Sequence, residues 1–310
     1  MKMKMKLFLV MVLGVSVIGG GAAFAGSIDW SKSNASPVSA DTVRVYGLIY
    51  SSSPGVTSTY NVDFKFNETT LTFAPVLPTS LVSINESKYA TADALRGGLL
   101  YDKWWKVNGK AEPTGNHPRY PAAGKQSGAD TWRCKECHGW DNKGKDGAYS
   151  SGSHLTGIKG VYEARNMNAA NIFARITEHN ISSLSEQDIW DLSKFIKEAL
   201  VEMDKYINFS GAKKKSATGD ATLGKTLFEN TGTGGGQCIM CHGADGTAIK
   251  FDGTDAIGDV ANDNSWEVLQ KIRFGHPGST SMPSAVKNGL SITDQINILT
   301  YAQTLRKLVP

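Results

Sequence analysis

The run Cys238-Ile-Met-Cys241-His242, followed by the loop Ser281-Met282-Pro283, decides how this 310-residue chain is read. C-x-x-C-H is the attachment sequence of a c-type haem. Two thiols three positions apart lie on one helical turn, so each can form a thioether with one porphyrin vinyl group. The adjacent histidine offers a neutral imidazole to the iron, and a soft thioether such as that of Met282 can close the opposite axial position. An upstream copy, Cys134-Lys-Glu-Cys137-His138, uses the other two of the four cysteines. The expectation is two covalently attached c-type haems. Their thioethers come from Cys134, Cys137, Cys238 and Cys241, and their proximal iron ligands are His138 and His242. A disulfide framework or a redox dithiol is the plain alternative in an oxidising compartment. The histidine after each pair weighs against it, and a four-cysteine zinc site would need no such histidine.

Residues 1–25 carry Lys2, Lys4 and Lys6, then an apolar stretch over residues 7–18, then Ala23-Phe24-Ala25. That order is expected of a secretory signal peptide cut before Gly26, with an uncleaved anchor disfavoured by the shortness of the apolar stretch. No later stretch is long enough to span a bilayer, so the expected product has no stable membrane span and is periplasmic or extracellular. Removing those three lysines from the 33 basic side chains leaves 30 against 29 acidic ones, a net charge of +1. Haem propionates would make the holoprotein mildly acidic. No basic tract is dense enough for nucleic acid.

Residues 26–89 read as a small β-rich segment. Tyr60, Val62, Phe64 and Phe66 alternate with polar neighbours, and Asn67-Glu68 suggests a turn into a further strand at residues 70–73. From residue 90 the pattern becomes helical. Ala92, Leu95, Leu99 and Leu100 share one face and lead to Trp104-Trp105, and a loop rich in proline and glycine precedes Cys134. Helices are expected over residues 168–178 and from Ser185, where Asp188 completes a capping box. Residues 209–219 read as a linker containing Lys213-Lys214-Lys215. The plan then repeats over residues 220–310: a first helix bearing Leu223, Leu227 and Phe228, the C-x-x-C-H run, a helix over 265–274, and a last helix opening at Ser291 with Asp294 as capping partner. Helix, attachment run, loop, helix, ligand loop and helix occur in this order twice, as an internal duplication does.

Each repeat resembles a class I cytochrome c domain, and the pair resembles a dihaem c-type cytochrome. The residues carrying the resemblance are the two C-x-x-C-H-Gly runs, Gly275-His-Pro-Gly with Ser-Met282-Pro, and the terminal helices. It implies a mainly α fold with two tandem cytochrome c-like helical domains, over 90–208 and 220–310, each wrapping one haem and passing single electrons. The β segment and the long insert before Cys134 lie outside the family pattern.

Met282 is the expected distal ligand of the second haem, with His276 as competitor in the same loop. The first repeat has no methionine between its last two helices. His179 falls 41 residues after His138, against 40 residues from His242 to Met282, and is the expected distal ligand there. His154, Met167 and Met203 are its rivals, and an open iron is a further alternative. Methionine raises an iron's potential and a second imidazole lowers it, so haem 1 is expected to be the low-potential partner of haem 2. The leading expectation is an electron carrier between redox proteins or a redox enzyme complex, with no separate catalytic residue. One alternative is a dihaem oxidoreductase, peroxidase-like or thiosulfate dehydrogenase-like, working at haem 1 with Trp104, Trp105, Trp132 and Trp140 as candidate pocket walls. Another is a haem-carrying subunit docked through its β segment.

Overall fold

A computed structural model describes residues 27–29, 34–37, 42–53, 56–67, 72–76, 86–230, 238–279 and 281–309. The expected signal peptide and the Asn67-Glu68 turn beyond Asn67 lie outside these residues. Two compact units are present, one ending at Ser83 and one spanning Ile84–Pro310.

The first unit holds five antiparallel strands: β1 (Ser27–Asp29), β2 (Asn34–Pro37), β3 (Thr42–Ser53), β4 (Val56–Asn67) and β5 (Thr72–Val76). β4 pairs β3 with Val45 opposite Val62 and Leu48 opposite Tyr60, and the register shifts between those two pairs. β5 continues the sheet on the other edge of β4, with Phe73 opposite Phe66. β1 and β2 both pair with the free edge of the long β3.

The second unit is mainly helical, with ten α-helices among the described residues. The first, α1 (Glu86–Thr91), stops two residues short of Asp93, whose carboxylate caps α2 (Ala94–Asn108) by accepting from the backbone N–H groups of Leu95 and Arg96. Next come α3 (Cys134–His138), α4 (Ala169–Thr177), α5 (Glu186–Lys194), α6 (Ala221–Asn230), α7 (Cys238–His242), α8 (Ile257–Asp263), α9 (Ser265–Phe274) and α10 (Ile292–Ala302). Both expected capping boxes form, at Ser185 with Asp188 and at Ser291 with Asp294. No helix among the described residues is long and apolar enough to cross a membrane.

Two helix crossings repeat the same device. In α2, a Cβ on Gly97 would lie 2.1 Å from the Asp191 carbonyl oxygen of α5, and in α6 a Cβ on Gly224 would lie 1.9 Å from the Asn297 carbonyl oxygen of α10. Only glycine lets the backbones approach so closely, so α2 meets α5 in one half, and α6 meets α10 in the other, at a glycine. The hydrophobic cores follow this division but trade residues. One is built from Leu100, Tyr101, Trp104, Trp105, Ile172, Leu192 and Phe195, and takes Phe274 from the second half. The other holds Phe228, Trp266, Leu269, Ile296 and Leu299, and takes Trp140, Met203 and Ile207 from the first half. Gly98 makes room for the Phe274 ring, which a Cβ would approach to 2.6 Å.

Residues 209–219, read from sequence as linker, are tied down. The backbone N–H of Lys215 donates to the Asn208 carbonyl (2.7 Å), that of Thr218 to the Tyr206 carbonyl (2.9 Å), and Gln303 donates its amide to the Lys215 carbonyl (2.7 Å).

Candidate functional site

The first attachment run forms α3, ended by Gly139 at φ 77°, a value that glycine adopts without strain. The buried hydroxyl of Tyr101 donates to the Gly139 carbonyl at 2.7 Å, so α2 fixes where the run stops. A cavity of about 270 Å³ opens beside it, walled by Cys134, Cys137, His138 and His179 together with apolar residues such as Ile158, Val161, Leu192 and Ile196. The two imidazoles face each other across it, with ring centroids 6.0 Å apart and planes at 65°. Nδ1 of His138 lies 2.7 Å from the Lys159 carbonyl oxygen, and Nδ1 of His179 lies 3.0 Å from that of Arg175. A carbonyl can only accept, so both Nδ1 atoms carry the proton and both Nε2 atoms keep a free lone pair. Burial pushes the His138 imidazole below its ordinary pKa, the Lys159 carbonyl opposes this and His179 adds to it, so the neutral, metal-binding form is favoured.

The rival ligands sit elsewhere. Met203 is fully buried in the second core, and Met167 packs against the first core outside the cavity wall. His154 pairs with buried Glu136 through Nδ1 at 2.5 Å, and borders a different cavity. Glu136 is held down to about 2; burial alone would raise it, and the bonds to His154 and Lys135 outweigh that. Of the four tryptophans, Trp132 alone walls this cavity; Trp104 and Trp105 fill the first core and Trp140 the second.

His117 was not legible as a site residue. It is buried, walls the same cavity, and stacks edge-on against Trp132 with centroids 4.6 Å apart. Its Nδ1 accepts from the Arg119 backbone N–H at 3.1 Å, so its proton is on Nε2. A lone histidine in a proline-rich loop has no spacing partner that could have marked it.

The second run forms α7 and is followed by Gly243 at φ 76°. His242 is buried between the rings of Phe228 and Phe251, and burial lowers its pKa. It borders a cavity of about 590 Å³ shared with His276 and Met282. The loop carrying Met282 is pinned back onto the end of α9, where the Ala285 N–H donates to the Ile272 carbonyl (3.0 Å) and the Ser284 hydroxyl to that of Arg273 (2.6 Å). A metal-binding histidine is ordinarily oriented by an acceptor on its other ring nitrogen. His138 has one, but the buried Nδ1 of His242 has no partner among the described residues. Cys238 packs against the second core and Cys241 is exposed; neither borders the 590 Å³ cavity.

The donor set at the first site suits an iron porphyrin. Two imidazoles sharing one metal through bonds of about 2 Å stand roughly 6 Å apart between centroids, which is the spacing found. Burial pushes the free Cys134 thiol up to about 12 and that of Cys137 to about 11. A redox dithiol works through a lowered thiol pKa, so this environment does not favour one. The second site offers an imidazole and a thioether on one cavity, a fit that is complete in its axial donors and not in its thiols. No family model, curated protein or solved structure matches the chain.

Proposed function

We propose that the chain is an exported dihaem c-type cytochrome, built from two cytochrome c-like repeats, that passes single electrons between redox partners. The observation that carries this is the facing pair His138–His179, with both Nδ1 atoms on backbone carbonyls, in a cavity that also holds Cys134 and Cys137. Bound haem would supply a one-electron Fe(III)/Fe(II) couple. The chain's residues do the rest. Cys134 and Cys137 would anchor the porphyrin of the first site; Cys238 and Cys241 are the corresponding thiols of the second run, and neither borders the cavity that His242 shares with Met282. The Lys159 and Arg175 carbonyls hold His138 and His179 in the tautomer that leaves each Nε2 lone pair free for a metal. Ile158, Val161, Leu192 and Ile196 give the cavity they share an apolar lining. A ligand on both sides leaves no position for a substrate, which favours a carrier over a peroxidase-like enzyme.

His242 and Met282 would serve the second iron. Methionine there and histidine at the first site make the first site the low-potential one and the second the high-potential one. The exported location follows from the signal-like residues 1–25.

The test is the intact mass and haem content of the protein produced in a host that attaches c-type haem. Two covalent haems per chain are expected, with replacement of both Cys134 and Cys137 by alanine removing one of them. A mass equal to that of the bare polypeptide overturns the proposal.

A further inference from the structure

The long insert before Cys134, which has no counterpart in the second repeat, supplies one side of the first cavity. His117, Arg119, Thr131, Trp132 and Arg133 all border it. His117 is 8% exposed and its other faces are occupied. Its backbone N–H donates to the Thr131 hydroxyl at 2.8 Å, its Nδ1 accepts from the Arg119 backbone N–H at 3.1 Å, and its ring stands edge-on to Trp132. Its Nε2–H is left without an acceptor among the described residues. The neighbouring polar groups are spent. The Thr131 hydroxyl donates to the Gly128 carbonyl at 2.7 Å, and the Arg133 guanidinium is divided between Asp130 and Asp102, which also takes Lys271. Arg119 is the exception. Its guanidinium has no hydrogen bond or ion pair among the described residues, and no aspartate or glutamate lines the cavity.

A buried N–H with no acceptor is costly, and it marks a place where one belongs. In this tautomer His117 is not an iron ligand, because its unused nitrogen carries the proton. A covalently attached haem offers few acceptors. Its ring nitrogens hold the iron, its vinyl groups are spent on the thiols, and His179 has its Nδ1 on the Arg175 carbonyl and its Nε2 for the metal. The propionate carboxylates remain. We infer that His117 and Arg119 form an anion-recognising edge of the first site, which takes a porphyrin propionate through the His117 Nε2–H and the Arg119 guanidinium. The inference rests on the haem reading of the first site. It adds which residues hold the porphyrin's acid groups, and it gives the insert a role.

The sign follows from the charge. A donor and a cation on a propionate offset its negative charge, and so favour an added electron on the iron. Without the donor the first haem becomes harder to reduce, by roughly threefold in the reduction equilibrium constant. His117→Phe keeps a ring against Trp132 and loses the donor. His117→Gln loses the ring and keeps a donor, and returns the value towards the wild type. Arg119→Gln, at an exposed position, removes the cation and acts in the same direction as His117→Phe. The second haem stays unmoved in all three, since both residues border the first cavity alone.

The experiment is a redox titration of the holoprotein, with oxidised-minus-reduced infrared spectra of the haem carboxylates and spin-resonance spectra of the oxidised protein. In His117→Phe the first haem is expected to be harder to reduce and its carboxylate band to shift, with the iron's ligand type unchanged and recovery in His117→Gln. An unmoved potential and band overturn the inference. A changed ligand type also overturns it, since His117 would then be an iron ligand. Sodium acetate added at constant ionic strength should leave the wild type unmoved. A shift in the wild type that His117→Phe abolishes means that a free anion fills the edge, and overturns the inference. If His117→Phe yields no folded protein, Arg119→Gln decides by the same potential and band. A wild-type protein with no haem would instead refute the haem reading of the first site, so the two failures are distinct.

Discussion

The two C-x-x-C-H runs share their thiols and histidine and differ in the residues between the thiols and in what surrounds them. In the first, the residues between the cysteines, Lys135 and Glu136, are 7% and 2% exposed and pair with each other at 2.5 Å. In the second, Met240 occupies the matching place and is 77% exposed. The residues between the first pair of thiols are thus both buried, whereas in the second run Ile239 packs against the second core and Met240 faces solvent. The cavities differ in the same sense: one is small and lined by aliphatic side chains with two anchored imidazoles, the other is larger and bordered by charged residues from both halves. The two runs therefore sit in different surroundings, the first beside a small apolar cavity and the second beside a larger, charged one.

The largest effect that would break this comparison is loss of a proximal ligand. His138→Ala is expected to disturb the first site and leave the spectrum of the second intact, and His242→Ala the reverse. Haem content and optical spectra of both variants check this. If either variant abolishes both haem signals in a folded protein, the sites are not separable.

Replacing a distal ligand gives a smaller change and sharpens the contrast. His179→Ala should convert the first iron from low-spin to an open site that binds carbon monoxide, with no change at the second. Met282→Ala should do the same at the second site alone. Carbon monoxide difference spectra distinguish the two, and an unchanged first site in His179→Ala would remove His179 from the ligand set.

Stability probes come next. Arg96 spans Asp188 and Asp191, with both contacts at 2.5 Å. Arg96→Met strands two buried carboxylates and should cost about 3 kcal/mol, read by denaturant unfolding. The helix crossings offer a matched pair. Gly97→Ala and Gly224→Ala each drive a methyl into a facing carbonyl and should cost about 1–3 kcal/mol, each loosening its own half more than the other.

The pH dependence is a smaller effect. Burial raises the Asp188 carboxyl, but the Ser185 N–H and Arg96 outweigh it, so the folded pKa lies below the ordinary 3.8. A group with a depressed folded pKa stabilises fully above 3.8, and that stabilisation is lost as pH falls below 3.8 through the folded value. Asp188→Asn should flatten the acid limb of the unfolding midpoint against pH. At the bottom of the scale, the exposed pair Lys88–Glu186 should be removable with no measurable change in midpoint.

Local features were legible from sequence and distant ones were not. Ser185 with Asp188 and Ser291 with Asp294 announced their helices because a capping box is complete within four residues. His179 could be picked out because the repeat supplied a ruler. His117 had none. The Arg133–Asp102–Lys271 cluster joins positions 31 and 169 residues apart, and no pattern along the chain relates them. Gly97 and Gly224 stood in plain view inside helical runs, but only the backbone crossing gives a helical glycine its reason. The exchange of Phe274 and Trp140 between cores has the same origin, since packing between halves leaves no periodic trace.

The most direct measurement is a low-temperature spin-resonance spectrum of the fully oxidised protein. Two low-spin ferric signals of equal weight are expected, one of the bis-histidine type from the first site and one of the histidine–methionine type from the second. A spectrum without low-spin ferric haem, or two signals of identical ligand type, would contradict it.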